Sequence, residues 1–401
     1  MEESARSFVR VLHVIPSISA VHGGPSAAIR SIVAATSALG AEVEVATTDD
    51  DGRVRRQDRP ADGSAGDIDG MRVRVFPRQT GFYKVSLPLW RWLRERTSDY
   101  DVVHVHALFS FASTAAANAA RRVGVPYIVR PLGVLDRYGM EKRRPALKRL
   151  SFALLERSIL DHAAAVHFTA KRELEEAQRR VVLPRAVVIP LGVDVPTSVV
   201  RIHGSTTPPG VPRIRRIAYL GRLDPKKNVE AAIRALPQVL AAEPTAVMSI
   251  AGEGDAGYTA HLRQVVADLG LGSAVAWVGY VSGEAKRRLL EEADVFVLPS
   301  HSENFGMAAA EALAAGVPCV LGHDVAIAPS VATAGAGVAV DPTPEGVADG
   351  ILGYLADESR RAAASGAARR LAVETYSTRR MGEELMALYR TIVAEHRRDD
   401  A

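Results

Sequence analysis

Two glutamates eight residues apart, Glu303 and Glu311, bracket a helix start in the stretch SHSENFGMAAAEALAAGVPCV (Ser300–Val320), with little but alanine between them. Phe305, Gly306 and Met307 fall where that helix opens, and free amides together with the helix dipole favour an anion there. Gly306 lets a ligand come close to the backbone. Eight residues at helical pitch rise roughly 12 Å. A carboxylate accepts two hydrogen bonds from vicinal hydroxyls, so the two acids can hold the two ends of one extended ligand with negative charge between them. The plainer reading makes Glu311 an exposed helix residue and Glu303 a loop acid.

A basic pair supplies the complement. In YLGRLDPKKN, Arg222 follows a strand end directly and Lys227 sits five residues later, across a turn through Asp224 and Pro225. Arginine offers a planar fork to one phosphate and lysine a point charge to the next, which suits a diphosphate. Alone, the pair reads equally well as a solvated basic turn.

Short apolar runs alternating with helical patterns must position these groups. RVLHVIP, AEVEVAT, YDVVHVHA, PYIVR and AAAVHFT read as strands in the first half, with a helix from about Pro25 to Leu39 ending at Gly40. RIAYLGRL, AVMSIAGEG, AVAWVGYV and ADVFVLPS repeat the rhythm in the second. The alternation predicts an α/β chain of parallel sheets covered on both faces. At 401 residues, two domains are expected. A Thr-, Pro- and Gly-rich linker at 197–213 separates residues 1–196 from 214–375. The amphipathic tail, 376–401, is expected to return to the N-terminal domain. Val54–Asp67, polar and rich in Gly and Arg, reads as a mobile loop. Such paired sheets place a ligand in a cleft at the strand C-terminal ends.

The single cysteine, Cys319, excludes an intramolecular disulfide and fits a reducing compartment. No signal-peptide pattern or membrane-spanning apolar run is found, so a cytoplasmic protein is expected. From Glu141 to Arg157 six basic residues stand against two acidic ones, a local charge of +4 among Leu147, Leu150, Phe152, Leu154 and Leu155. This stretch suits the inner face of an anionic membrane, or else is a solvated helix with its leucines in the core. Nothing points to nucleic acid.

Together GGPSAAIRSIV, DVVHVHALFS, VIPLGVD, YLGRLDPKKN, IAGEG, WVGYVSGEAKRRLL, ADVFVLPSHSENFGMAAAEALAAGVPCV and the tail ending ALYRTIV resemble the retaining GT-B glycosyltransferases of family four, exopolysaccharide type. The resemblance covers essentially the whole chain. It implies two Rossmann-like domains, an N-terminal acceptor domain and a C-terminal donor domain, facing a central cleft. It implies a UDP- or GDP-sugar as co-substrate, a glycan, lipid-linked or small-molecule acceptor, and no bound metal or permanent cofactor. By match, Arg222 and Lys227 bind the donor diphosphate, Glu303 the sugar and Glu311 the ribose. Asn304, Phe305 and the amides of Gly306, Met307 and Ala308 line the donor. Gly23 and Gly24 form the glycine loop near its phosphates, while Gly252, Glu253, Tyr280 and Val281 edge the base pocket.

The match departs from the family at Leu132, where many relatives carry a histidine that contacts the reacting sugar. A leucine can make no hydrogen bond there. Either this chain works without the contact, or Arg130, Asp136 or Arg137 replaces it on the acceptor side. His104 and His106 end a strand expected to face the cleft, and His106 is the preferred catalytic histidine. The acids Asp49, Asp50 and Asp51 resemble a metal-holding triplet but read as solvated. Alternative functions are a nucleotide-sugar 2-epimerase of the same architecture, a hydrolase using Glu303 and Glu311, and a catalytically silent donor-binding subunit.

Overall fold

The computed structural model describes residues 8–19, 23–51, 54–55 (backbone), 62–81, 83–135, 148, 150–183, 185–196 and 213–399. The chain divides into two compact units, Met1–Gly192 with Thr378–Ala401, and Val193–Ser377.

In the first unit the strands are β1 (Arg10–Val14), β2 (Glu42–Thr48), β3 (Ala65–Ile68), β4 (Met71–Phe76), β5 (Val102–His106), β6 (Tyr127–Arg130), β7 (Ala165–Phe168) and β8 (Ala186–Val188), of which β1, β5, β6 and β7 are almost wholly buried on both faces. They lie in the order β8-β7-β6-β5-β1-β2-β4-β3, all parallel except the final β4–β3 pair. Helices α1 (Gly24–Ala38), α2 (Leu87–Arg96), α3 (Phe111–Val123), α4 (Arg157–Asp161) and α5 (Lys171–Gln178) connect them. The register sets His13 beside His104 and His106 beside Arg130. β4 follows an alternation that the sequence reading passed over: Met71, Val73 and Val75 point inward while Arg72 is exposed. β3 lies inside the stretch expected to be a loop and is held by antiparallel pairing to β4; residues 56–61 of that stretch lie outside the described ones.

The second unit carries β9 (Arg215–Leu220), β10 (Ala246–Ala251), β11 (Val275–Gly279), β12 (Val295–Leu298), β13 (Cys319–Gly322) and β14 (Gly337–Val340). Their order is β11-β10-β9-β12-β13-β14, wholly parallel. Counted along the chain this is 3-2-1-4-5-6, the dinucleotide-binding order, whose direction reverses between β9 and β12. The helices are α6 (Val229–Ala242), α7 (Ala256–Asp268), α8 (Gly283–Glu291), α9 (Met307–Ala314), α10 (Ala328–Thr333), α11 (Pro344–Leu355) and α12 (Glu358–Glu374).

The chain ends in α13 (Thr378–Asp399), which belongs to the first unit and packs on α1. Met381, Leu385, Met386, Tyr389, Ile392 and Val393 form its buried stripe at helical spacing. Gly382 permits the contact, since a Cβ there would lie 3.0 Å from Ala35.

Candidate functional site

The loops after β9 and β12 carry the acidic and basic groups singled out above. After β9 the chain passes through Gly221 and exposed Arg222 into a 3-10 turn, Pro225–Lys227, capped by Asp224 accepting from the Lys226 amide at 2.9 Å. Asn228 closes the turn in the left-handed region at φ 52°, and its side chain donates to the Pro342 carbonyl at 2.7 Å. Lys227 then forms an ion pair with Glu303. Burial, with Lys226 and Arg222 beside it, pushes the Lys227 ammonium down to about 8.

Glu303 is fixed by its backbone: its amide donates to Asp324 at 3.1 Å and its carbonyl accepts from Ala326 at 3.0 Å. Gly306 caps α9 at φ 102°, and a Cβ there would meet Val325 at 3.0 Å. Met307 and Ala308 are half-buried at the open end of α9, where backbone amides have no intrahelical acceptor. Phe305 differs from its neighbours: its ring is buried edge-on against Tyr376 at 5.6 Å, so its side chain packs and only its backbone is free for a ligand. Asn304 is half-buried beside Glu303.

Glu311, in α9, accepts from Lys286 of α8 at 2.7 Å. Nothing in the spacing of GEAKRRLL singled out Lys286; only the packing of α8 against α9 brings it to Glu311. Gly252 and Gly254 let the loops after β9 and β10 run side by side. A Cβ on Gly252 would lie 1.8 Å from the Gly221 carbonyl oxygen, and one on Gly254 1.9 Å from that of Leu223. These two glycines therefore shape the turn that presents Arg222. Glu253 is exposed between them, Tyr280 is 71% exposed and Val281 half-buried.

In the first unit, Gly23 adopts φ 66° and ψ −120°, a region suited to glycine, and its carbonyl accepts from Ser26 at 3.1 Å to start α1. At Gly24 a Cβ would meet nothing within 4 Å. The expectation for the strand-end histidines is corrected: His104 and His106 are 0% exposed. They join His13 and His167 in a buried cluster, because every residue of β1, β5 and β7 from position 11 onward is covered on both sheet faces. His13 Nδ1 lies 2.8 Å from His106 Nε2, His104 Nδ1 lies 2.8 Å from the Tyr389 hydroxyl, and His167 Nε2 lies 2.9 Å from the Ile189 carbonyl. Burial pushes all four imidazoles well down, His13 and His167 to about 3, so they are neutral. Arg130 is also buried, at 3% exposure. Leu132 is half-buried at φ 60°. Asp136 and Arg137 lie outside the described residues, as do Glu141–Leu147 and Arg149.

The acids at 49–51 are engaged rather than solvated. Asp49 accepts from the Arg78 amide at 2.8 Å, Asp50 pairs with Arg78 at 2.6 Å and with Lys84, and Asp51 accepts from Ser19. Leu150, Leu154 and Leu155 are exposed, Leu154 at 67%, while Phe152 packs on the core. This part of the basic stretch does not turn its leucines inward.

The family model described as "Glycosyl transferases group 1" matches residues 213–371, and that described as "Glycosyl transferase 4-like domain" matches residues 23–192. A GDP-mannose-dependent monoacylated alpha-(1-6)-phosphatidylinositol monomannoside mannosyltransferase from Corynebacterium glutamicum is 34% identical over 177 residues, covering 42% of this chain and 45% of that protein. A GDP-mannose-dependent alpha-(1-6)-phosphatidylinositol dimannoside mannosyltransferase from Mycobacterium tuberculosis is 31% identical over 229 residues, 54% of this chain and 56% of that one. The chain thus spans about half the length of the curated relatives it matches. Sucrose-phosphate synthase from Thermosynechococcus elongatus superposes with a TM-score of 0.74 at 20% identity, over 96% of this chain and all of that one. Anabaena HepE in complex with UDP superposes with a TM-score of 0.75 at 18% identity, over the same shares.

Proposed function

Because the chain belongs to the glycosyl transferases group 1 family, with a 4-like domain ahead of the group 1 domain, we propose that it is a retaining, metal-independent hexosyltransferase using a UDP- or GDP-sugar. The observation that carries this reading is the Lys227–Glu303 pair, formed by loops that follow β9 and β12, the strands flanking the reversal of the second sheet. Ligands of open parallel sheets bind at that point. A half-buried cation beside a half-buried carboxylate there is a ready pair of partners for a phosphate and a sugar hydroxyl.

In the reaction, the bond from the anomeric carbon to the leaving phosphate oxygen breaks while the acceptor oxygen bonds to the same face of that carbon. The acceptor's proton passes to the departing phosphate. Arg222 and Lys227 hold the diphosphate and stabilise its growing charge, Glu303 fixes the sugar, Glu311 the ribose, and the α9 amides of Met307 and Ala308 the phosphates. Gly23 and Gly24 give the donor room, and Tyr280 and Val281 edge the base.

Among the described residues no helix is long and apolar enough to cross a membrane. The exposed Leu150, Leu154 and Leu155, beside Lys148 and Arg157, suit peripheral contact with an anionic lipid surface. The relatives' names, which pair GDP-mannose with phosphatidylinositol mannosides, fit a lipid-linked acceptor.

Calorimetric titration of UDP, GDP, ADP and TDP and their sugars into wild type and Arg222→Ala tests the donor assignment. One nucleotide binds the wild type and loses about tenfold or more in the variant, on the scale of a charged hydrogen bond. Binding of none would overturn the donor assignment and the transferase reading with it.

A further inference from the structure

At the ends of β5 and β6 the first unit buries hydrogen-bonding capacity that its own chain does not use. Arg130 is 3% exposed, yet its Nε and Nη1 have no hydrogen-bond partner among the described residues. Glu173, the carboxyl whose charge acts on it, is occupied by the Thr169 amide and hydroxyl at 2.8 and 2.9 Å and by the Gly133 amide at 2.9 Å. Burial lowers the guanidinium only to about 10, so it stays charged at neutral pH. The four imidazoles near it are neutral and provide no counter-charge. An unpaired buried cation is costly, and native proteins keep few such groups without a purpose.

The imidazoles sort into a closed chain and an open pair. Tyr389 donates to His104 Nδ1, His104 Nε2 lies 3.4 Å from His167 Nδ1, and His167 Nε2 donates to Ile189. One tautomer of each ring satisfies that chain completely. The His13–His106 bond uses one proton between two neutral rings, and His13 Nε2 and His106 Nδ1 have no partner among the described residues. Whichever ring donates, one of those two nitrogens is an N–H and the other a lone pair.

His13, His104 and His106 each offer a ring nitrogen, all within 4.8 Å of one another, but both nitrogens of His104 are engaged, with Tyr389 and His167. A guanidinium beside them repels a cation. The remaining capacity, two guanidinium donors with an imidazole donor and acceptor, matches an oxyanion that also carries a hydroxyl. The loops that follow are strained in the same place: Ala107 at φ 83°, Phe109 at φ 56° and Leu132 at φ 60° hold left-handed conformations these residue types avoid.

We propose that Arg130, with the His13–His106 pair, receives an anionic group, phosphate or carboxylate, of the acceptor. The word acceptor rests on the transferase reading; the anion site does not. The test uses the Arg222→Ala/Lys227→Ala protein, which removes anion binding at the donor residues, with inorganic phosphate or acetate against chloride at equal ionic strength. Phosphate raises the melting temperature by several degrees, and adding Arg130→Met removes that rise. In chloride alone Arg130→Met melts no lower than its parent, as loss of an unpaired buried charge requires. Response to phosphate only marks a phosphorylated acceptor; response to acetate as well marks a carboxylate sugar. An equal phosphate shift with and without Arg130, or a large loss of stability in chloride that Arg130→Lys restores, overturns the proposal. Should the methionine variant not fold, imidazole 15N resonances of His13 and His106 decide: phosphate moves them if the site exists and leaves them if it does not. Nucleotide binding by wild type and Arg130→Met is measured in parallel, so failure of the anion site is separate from failure of the donor assignment.

Discussion

The two units build related sheets, six parallel strands in the second and eight with one antiparallel edge pair in the first, yet they hold charge in different ways. In the second unit Lys227–Glu303 and Lys286–Glu311 are opposite charges paired where water still reaches them. In the first, four neutral imidazoles and the Arg130 guanidinium are buried, with Nε and Nη1 of the guanidinium lacking a hydrogen-bond partner among the described residues. An accessible ion pair costs little and exchanges readily for a ligand's groups. A buried polar cluster commits its protonation states when the chain folds, and it makes stability depend on pH. One sheet architecture thus supports an exchangeable charged surface and a buried polar cluster of neutral imidazoles beside a charged guanidinium.

The sharpest separation between these regions is functional. Under the transferase proposal, Glu303→Ala lowers transfer about a thousandfold or more while nucleotide affinity stays within a few-fold, because its partner is the sugar. Glu311→Ala does the reverse, weakening nucleotide by about tenfold. Activity equal to wild type in both variants would remove the site assignment.

Acid should break the first unit before the second. Its four buried histidines, His13, His104, His106 and His167, sit below their ordinary value in the folded state, so below about pH 6.5 the unfolded chain binds protons that the native chain refuses. Stability therefore falls steadily as pH drops below that point, each buried neutral imidazole adding to the loss. The second unit's His261, His301 and His323 are exposed. Trp90 and Trp92 report on the first unit and Trp277 on the second, so denaturant melts of Trp277→Phe and of Trp90→Phe/Trp92→Phe at pH 7 and 5 follow each separately. Equal losses would show that the buried cluster is not the acid-sensitive element.

The smallest effect concerns Lys227. Its ammonium loses its proton through about pH 8 in the free protein, and a bound diphosphate favours the charged form. Nucleotide affinity is flat below that value and declines by up to about tenfold per unit above it. An affinity unchanged between pH 7 and 9.5 would take Lys227 off the phosphates.

Much of this was legible residue by residue. The runs at 215–220, 246–251 and 295–298 announced buried parallel strands, and Gly306 announced the start of α9. The charged alternation of Met71–Phe76 hid a strand, since Arg72 and Arg74 find their carboxylate partner, Glu44, on β2. Phe305 read as a ligand contact because its neighbours did; its ring turns to Tyr376, seventy-one residues on. Lys286 and the histidine cluster had no local signal, as their partners lie on other elements.

Periodicity and residue type by themselves determined the α/β class, the family resemblance and the placement of acids and bases at strand ends, because backbone preference and burial act over a few neighbouring positions. Tertiary structure alone decided which lysine meets which glutamate, that His106 is interior, and that Arg130 Nε and Nη1 have no hydrogen-bond partner among the described residues. Those outcomes depend on register and packing between segments far apart in the chain, where no short-range rule reaches.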